Sequence, residues 1–197
     1  MEVCYSNQEA VILIPDISGF TGFVSVADTE HAQEIIALLL ESVLDNNLLD
    51  FELSEIEGDA VLFYKLKPPF TANEVIQQCN KMFQAFHKIL NEFKRKNCPC
   101  QSCKKLNDMS LKFIVHYGTL GSIMVNDYCK LFGKDLIIAH RLLKNNLRFK
   151  EYILLTDAFT NRFDFARENW KQKEIMIEEL GLIGTYVGML SKPLVIH

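Results

Sequence analysis

An α+β fold whose strands and helices run in the order β-α-β-β-α-β is the architecture this sequence predicts. Three observations carry it. The run Ala10 to Ile14 is apolar, rich in β-branched residues and bounded by turn formers, as a buried strand requires. Two longer stretches repeat apolar residues at helical spacing, one through Ile35, Ile36, Leu39, Leu40, Val43 and Leu44 and one through Val75, Ile76, Cys79, Met82, Phe83, Phe86, Ile89, Leu90 and Phe93. Glycine-centred breaks at Glu57-Gly58 and Gly118–Gly121 each separate two apolar runs, the pattern of hairpins.

Taken in order, residues 1–9 are a polar lead-in, and Pro15-Asp16 marks the end of the first strand. Ser18-Gly19-Phe20-Thr21 turns the chain into a helical start, and Asp28 or Thr29 caps the helix that ends at Asn46-Asn47. Leu48–Ile56 and Ala60–Leu66 form a hairpin with Asp59 near its tip, and Pro68-Pro69 stops it. Thr71 and Glu74 form a capping box for the second long helix, whose last turn carries Lys94, Arg95 and Lys96 where cations suit the helix dipole. A cysteine loop follows. Leu111–Tyr117 is a strand, Gly118–Gly121 a turn and Ser122–Val125 its partner. Asp135–Leu147 is helical, Tyr152–Leu155 a strand, Asp157–Phe163 a helical turn, and Glu174–Leu180 with Thr185–Leu190 a last hairpin. This is the split βαβ arrangement of a ferredoxin-like core with a C-terminal β-hairpin added.

A chain of 197 residues suits one domain spanning 1–197, with its core at about 10–190. Hydrophobic residues make up 49% and charged residues 23%, enough for a full core. The net charge of −4 argues against a broad nucleic-acid surface. No apolar run approaches the ~20 residues that span a membrane. Met1-Glu2-Val3-Cys4-Tyr5 has no basic start of an export signal. The six cysteines are unevenly spread, three of them within six residues, which is unlike a disulfide framework; a reducing cytoplasm is the expected location.

The chemistry concentrates in two places. Asp16 and Asp59 each stand where an apolar strand meets a tight turn, and two aspartates on neighbouring strands can hold a divalent cation. Ser18 to Thr21 offer backbone N–H groups at a helix start, which attracts phosphate. Metal beside phosphate suggests a nucleotide. Elsewhere, Cys98, Cys100 and Cys103 make a C-x-C-x2-C cluster, open to three readings: a zinc site completed by Cys129, a histidine or a dimer mate, a redox-active pair, or a plain loop. His116 reads as a satisfied core or interface residue, while His31 and His87 read as surface positions on helices.

Asp16-Ile17-Ser18-Gly19-Phe20-Thr21, then Glu57-Gly58-Asp59-Ala60-Val61-Leu62-Phe63, then Phe132-Gly133 with Arg141 eight residues on in Ala139-His140-Arg141, resemble the class III nucleotidyl cyclase catalytic domain. The resemblance spans about residues 10–190 and is similar to a divergent bacterial branch of that superfamily. It implies a homodimer with substrate sites at the subunit interface, two Mg²⁺ or Mn²⁺ ions and a nucleoside triphosphate substrate. It implies Asp16, Asp59 and the Ile17 carbonyl as metal ligands, and Ser18, Gly19, Phe20 and Thr21 as the phosphate turn. Glu55 and Lys130 fall at the base-facing positions, an acid at the first resembling the guanylate type, and Arg141 at the position of the transition-state arginine. Glu57 is a candidate third carboxylate.

Two departures stand out. The ribose-orienting asparagine of the family is expected four residues after Gly133, where Ile137 stands, and its late lysine near Leu180-Gly181, where the chain has none between Lys173 and Lys192. His140, Lys134 and Asp135 are the nearby polar residues. Three functions follow as expectations: a metal-dependent cyclase forming a 3′,5′-cyclic nucleotide, a catalytically degenerate nucleotide-binding or regulatory module, and a metal-thiolate protein built on the cysteine loop.

Overall fold

The strand Gln8–Ser18, β1, lies at the middle of the molecule and is covered on both sides. The computed structural model describes residues 7–25, 29–96, 98 and 101–190. After β1 come α1 (Phe20–Val24), α2 (Thr29–Leu44), β2 (Glu52–Glu57), β3 (Ala60–Leu66) and α3 (Ala72–Arg95). Then follow α4 (Gln101–Lys105), a 3₁₀ turn (Leu106–Asp108), β4 (Ser110–Val125), β5 (Tyr128–Phe132) and α5 (Lys134–Leu142). The described chain closes with β6 (Tyr152–Thr156), α6 (Asp157–Arg162), β7 (Lys171–Ile177) and β8 (Gly181–Met189).

The strands form one eight-stranded sheet in the order β2-β3-β1-β4-β6-β8-β7, with β5 paired to the far end of β4. Only β4 and β6 run parallel among these pairings. The first four strands with their two helical crossovers are the expected ferredoxin-like core, and β7–β8 is the expected added hairpin. Side chains of a strand alternate between faces. Val11, Leu13 and Ile17 therefore enter one apolar cluster, with α2 and α3, while Ala10, Ile12 and Ile14 enter a second, closed by Ile138, Ala139 and Leu142 of α5. A strand buried on both faces is continuously apolar rather than alternating.

Pro15 lies inside β1 rather than at its end, and the ladder to β3 skips Ile14 and Pro15 between the pairs Leu13–Phe63 and Asp16–Ala60. Proline has no N–H to give there. At the sheet edge β2 is exposed along its whole length and carries three glutamates, a charged edge that discourages pairing with another chain. The capping box of α3 is present: Thr71 Oγ1 accepts from Glu74 N, and Glu74 Oε2 accepts from Thr71 N at 2.7 Å.

Several boundaries differ from expectation. Gly118 and Gly121 are not a turn; both lie within the 16-residue β4, and Asn126-Asp127 turns the chain into β5. Gly118 is glycine because the Asp135 side chain fills the space its Cβ would take, with Asp135 Cβ and Oδ2 each 2.5 Å from that point. The strand expected from Leu48 starts at Glu52, because Asn47 closes a loop with Phe51 (Nδ2 to Phe51 O 2.7 Å, Phe51 N to Oδ1 3.0 Å) and Gln78 Oε1 accepts from Leu48 N and Leu49 N. The helix expected to reach Leu147 stops at Leu142, where Asn145 Nδ2 donates to Leu142 O at 2.7 Å and Asn145 Oδ1 accepts from Leu147 N. In the last hairpin the turn falls at Glu178–Leu180, with Glu179 in the left-handed region (φ 69°), not after Gly181. His87 is no surface residue. It is 2% exposed and its Nε2 lies 2.9 Å from Glu151 Oε1, joining α3 to the start of β6. His31 is half-buried. Asp28, one of two expected caps of α2, lies outside the described residues. Among the described residues no helix is long and apolar enough to cross a membrane.

Candidate functional site

β1 and β3 bring the two aspartates together. Asp16 pairs with Ala60 across the ladder, and the N–H of Ile17 donates to the Asp59 carbonyl at 3.0 Å. Gly58, with φ 63°, makes the tight turn that sets Asp59 at the head of β3. Asp59 is half-buried. Its carboxyl is pushed above the usual carboxylate range, first by burial and then by the negative charge of Asp16; its own backbone N–H and the Lys112 ammonium pull the other way. A carboxyl whose ionisation is made costlier by burial and a neighbouring carboxylate marks a site short of positive charge.

Part of that charge is supplied by the chain. Lys112 sits opposite Asp16 on β4, and its Nζ lies 3.0 Å from Asp16 Oδ2 and donates to the Leu143 carbonyl at 3.0 Å. The two side chains are only 16% and 13% exposed, so this is a largely desolvated pair. Lys112 is not among the site residues predicted from the sequence. Its signal was a lysine inside an otherwise apolar strand, which needs a counter-ion when buried.

The aspartates open onto a cleft of about 790 Å³, lined by Asp16, Glu55, Glu57, Asp59, Lys130, Ile137, His140, Arg141 and Lys144, with Gly58, Ala60, Leu136 and Leu143. The two carboxylates expected for metal, Glu55 and Lys130 expected for the base, and Arg141 thus share one cavity. Ile137 is half exposed on its wall. Lys144, one turn beyond Arg141, adds a cation that sequence analysis did not single out. Ser18, Gly19, Phe20 and Thr21 adjoin the aspartates along the chain and do not line the cavity. Gly19 has φ 89°, and a Cβ there would stand 2.7 Å from the Asp108 carbonyl oxygen. The N–H of Phe23 makes the first helical bond, to Gly19 O, so the amides of Phe20 to Gly22 precede it.

A buried network fixes α5, the helix that carries Ile137 and Arg141. Thr156 Oγ1 accepts from Phe159 N and lies 2.8 Å from His116 Nδ1. His116 Nε2 then donates to Asp135 Oδ1 at 3.2 Å, and Thr119 N donates to Asp135 Oδ2 at 2.7 Å. The hydrogen bond from His116 holds the Asp135 carboxyl below the usual range, against partial burial and with help from Thr119 N–H and the charges of His116 and Lys134. His116 is therefore a satisfied core residue, as expected.

Cys98 and Cys103 are not part of the cleft, and Cys100 lies outside the described residues. Cys129, on β5, is disulfide-bonded and so is no fourth ligand for a metal at the cysteine loop.

The model of the family described as "Protein of unknown function (DUF2652)" matches residues 36–152. The uncharacterized protein Rv2561/Rv2562 of Mycobacterium tuberculosis is 32% identical over 133 residues, which are 66% of this chain; the chain spans 60% of that protein's length. Among solved structures, the guanylyl cyclase Cya2 superposes with a TM-score of 0.75 at 12% identity over 97% of each chain. The adenylyl cyclase CyaB from P. aeruginosa gives 0.71 at 11% identity over the whole of both chains. The guanylate cyclase domain of RhGC from Catenaria anguillulae, solved in complex with GTP, gives 0.62 at 15% over 95% of this chain and 100% of that one. At these identities the likeness establishes the fold, an α+β fold shared with class III adenylyl and guanylyl cyclase domains.

Proposed function

Since the chain belongs to the DUF2652 family, described as of unknown function, and has the fold of nucleotidyl cyclase domains, we propose that it binds a nucleoside triphosphate through divalent cations at the Asp16–Asp59 cleft. The observation that carries this reading is the convergence of Asp16 and Asp59 on one cavity that Lys130, Arg141 and Lys144 also line, with the half-buried Asp59 carboxyl raised by burial and then by Asp16.

The donor set fits a hard cation. Asp16 and Asp59 supply carboxylate oxygens and Ile17 a carbonyl, which suits Mg²⁺ or Mn²⁺ rather than a soft metal. Such an ion, when bound, neutralises polyphosphate charge and activates an attacking oxygen. Arg141 and Lys144 are placed to meet phosphate oxygens, Arg141 as a planar fork and Lys144 as a point charge. Glu55 and Lys130, both exposed in the cavity, are placed to read a base edge: a carboxylate accepts from amino and imino groups, and an ammonium donates to a carbonyl. The amides of Ser18 to Thr21, next to Asp16 along the chain but outside the cavity lining, are the proposed phosphate turn. The solved complex of the Catenaria anguillulae domain with GTP supports this choice of ligand class.

The second reading, a nucleotide-binding module without turnover, is favoured by Ile137. It lies on the cavity wall where the resemblance expects a ribose-orienting asparagine, and an isoleucine offers no hydrogen bond. The lysine expected near Leu180-Gly181 is also missing. Removing one transition-state donor costs about 10²–10³ in rate. A homodimer suits both readings: Ile56, Phe132 and Ile137 are large exposed apolar residues at or beside the cavity wall. A single domain of about residues 10–190 also fits, whereas the Cys129 disulfide is not what a reducing cytoplasm favours.

Incubation of the purified protein with Mn²⁺ and each of the four nucleoside triphosphates, read by mass spectrometry and thermal shift, tests this. A cyclic product lost in Asp59→Ala supports the enzyme. Stabilisation by a triphosphate without product, lost in Asp59→Ala, supports the module. No product and no metal-dependent stabilisation by any triphosphate removes both.

A further inference from the structure

Away from the cleft, three side chains of metal-ligand type converge from three elements. His31 is in the first two turns of α2, Cys98 follows the end of α3, and Cys103 is in α4. One ligand atom from each, an imidazole nitrogen and two sulfurs, lies within 4.8 Å of the others. Cys103 Sγ is 4.0 Å from His31 Nε2. Neither cysteine is in a disulfide, and all three residues are half-buried. Ligand atoms on a tetrahedral zinc stand about 3.5–3.8 Å apart, given Zn–S near 2.3 Å and Zn–N near 2.0 Å. The arrangement needs to tighten by about 1.3 Å at most.

Two independent lines meet here. Along the chain, the C-x-C-x2-C run is a cluster of soft ligands with no task in the nucleotide cleft. In space, the fold brings up a histidine more than sixty positions away, which the cysteine spacing alone does not foretell. We propose that His31, Cys98 and Cys103 bind one zinc ion in a structural site separate from the carboxylate cleft. Thiolate and imidazole select zinc over the hard ions suited to Asp16 and Asp59. A fourth donor completes the shell, and binding releases the two thiol protons to solvent.

The site's place in the fold gives it a consequence. Cys103 packs against the main apolar cluster, and α4 leads directly into the 3₁₀ turn whose Asp108 carbonyl closes on Gly19. A zinc ion would clip the α3–β4 connection to the start of α2, and so fix the segment on which the Ser18–Thr21 turn rests. This inference stands apart from the nucleotide reading, and either can fail alone.

The full-length protein, purified under reducing conditions, loaded with Zn²⁺ and desalted, is expected to retain about one zinc per chain by elemental analysis. The Cys98→Ser, Cys103→Ser double variant and His31→Ala are expected to fall to background or to bind at least tenfold more weakly, whereas Asp59→Ala retains the ion. Co²⁺ titrated into the unmodified protein provides a readout that needs no variant: tetrahedral visible bands with intense thiolate-to-cobalt absorption, displaced by Zn²⁺. Absence of both retained zinc and thiolate–cobalt bands overturns the proposal. So does zinc that survives the double cysteine change, or a Cys98–Cys103 disulfide in the reduced protein.

Discussion

Gly118→Ala is expected to unseat α5 from the far side of its own network. A Cβ at Gly118 would stand 2.5 Å from both Cβ and Oδ2 of Asp135 and closer still to its carboxyl carbon. Real contacts do not approach so near, and the obstructing atoms belong to a short side chain held at both oxygens. Asp135 must leave, giving up the bonds from His116 Nε2 and Thr119 N. Hydrogen bonds to a charged group are worth about 1.5–3 kcal/mol each. The entropy gained by replacing a strand glycine returns about 0.5–1 kcal/mol. The net loss is about 3 kcal/mol, or roughly 6–12 °C in Tm for a domain of this size. Thermal and urea unfolding of Gly118→Ala, Asp135→Gly and the double variant measure it. In the Asp135→Gly background the clashing atoms are gone, so Gly118→Ala should there be nearly neutral. If alanine costs as much in that background as in the unmodified protein, the steric argument is wrong.

Burial and Asp16 raise the Asp59 carboxyl in the folded state, so the native protein holds that proton more tightly than the unfolded chain. Stability of the metal-free protein from this group is therefore lost as pH rises from the unfolded value near 3.9 through the raised folded value. Asp59→Asn should raise metal-free stability at neutral pH, with a smaller gain in acid, as read by urea titrations at several pH values. Asp135 has the opposite sign: its lowered value adds stability above the unfolded carboxylate value that is lost in stronger acid, and Asp135→Asn should flatten that acid limb. Lys112→Met strands Asp16 in a desolvated site and should cost the metal-free protein about 2 kcal/mol, while tightening Mn²⁺ binding about tenfold by calorimetry. His87→Ala removes the 2.9 Å contact with Glu151 and the ring packed against Phe83 and Phe86, and should cost about 3 kcal/mol in unfolding experiments.

Much of the core was legible because its signals are local. The apolar run at Ala10–Ile14, the capping box at Thr71 and Glu74, and the Gly58 turn that leads into Asp59 are each read within a few residues. What escaped is set at long range. Gly118 reads as a turn until Asp135, seventeen positions on, is seen to occupy the missing Cβ. His87 on a helix reads as solvated until Glu151 is brought up from another element. Lys112 and Asp16 become a pair only through the β1–β4 register, and His31 meets the cysteines only once the helices pack. Helix ends also misled, because Asn145 stops α5 with a side-chain bond that periodicity does not encode.

The ammonium on β4 has one more implication. Asp16 carries a counter-charge that is covalently part of the polypeptide and cannot be diluted away or chelated. On the proposed reading of the cavity, withdrawal of its Mg²⁺ or Mn²⁺ would leave Asp16 still matched by Lys112, so shortage would be felt as silence at that site and not as collapse around it.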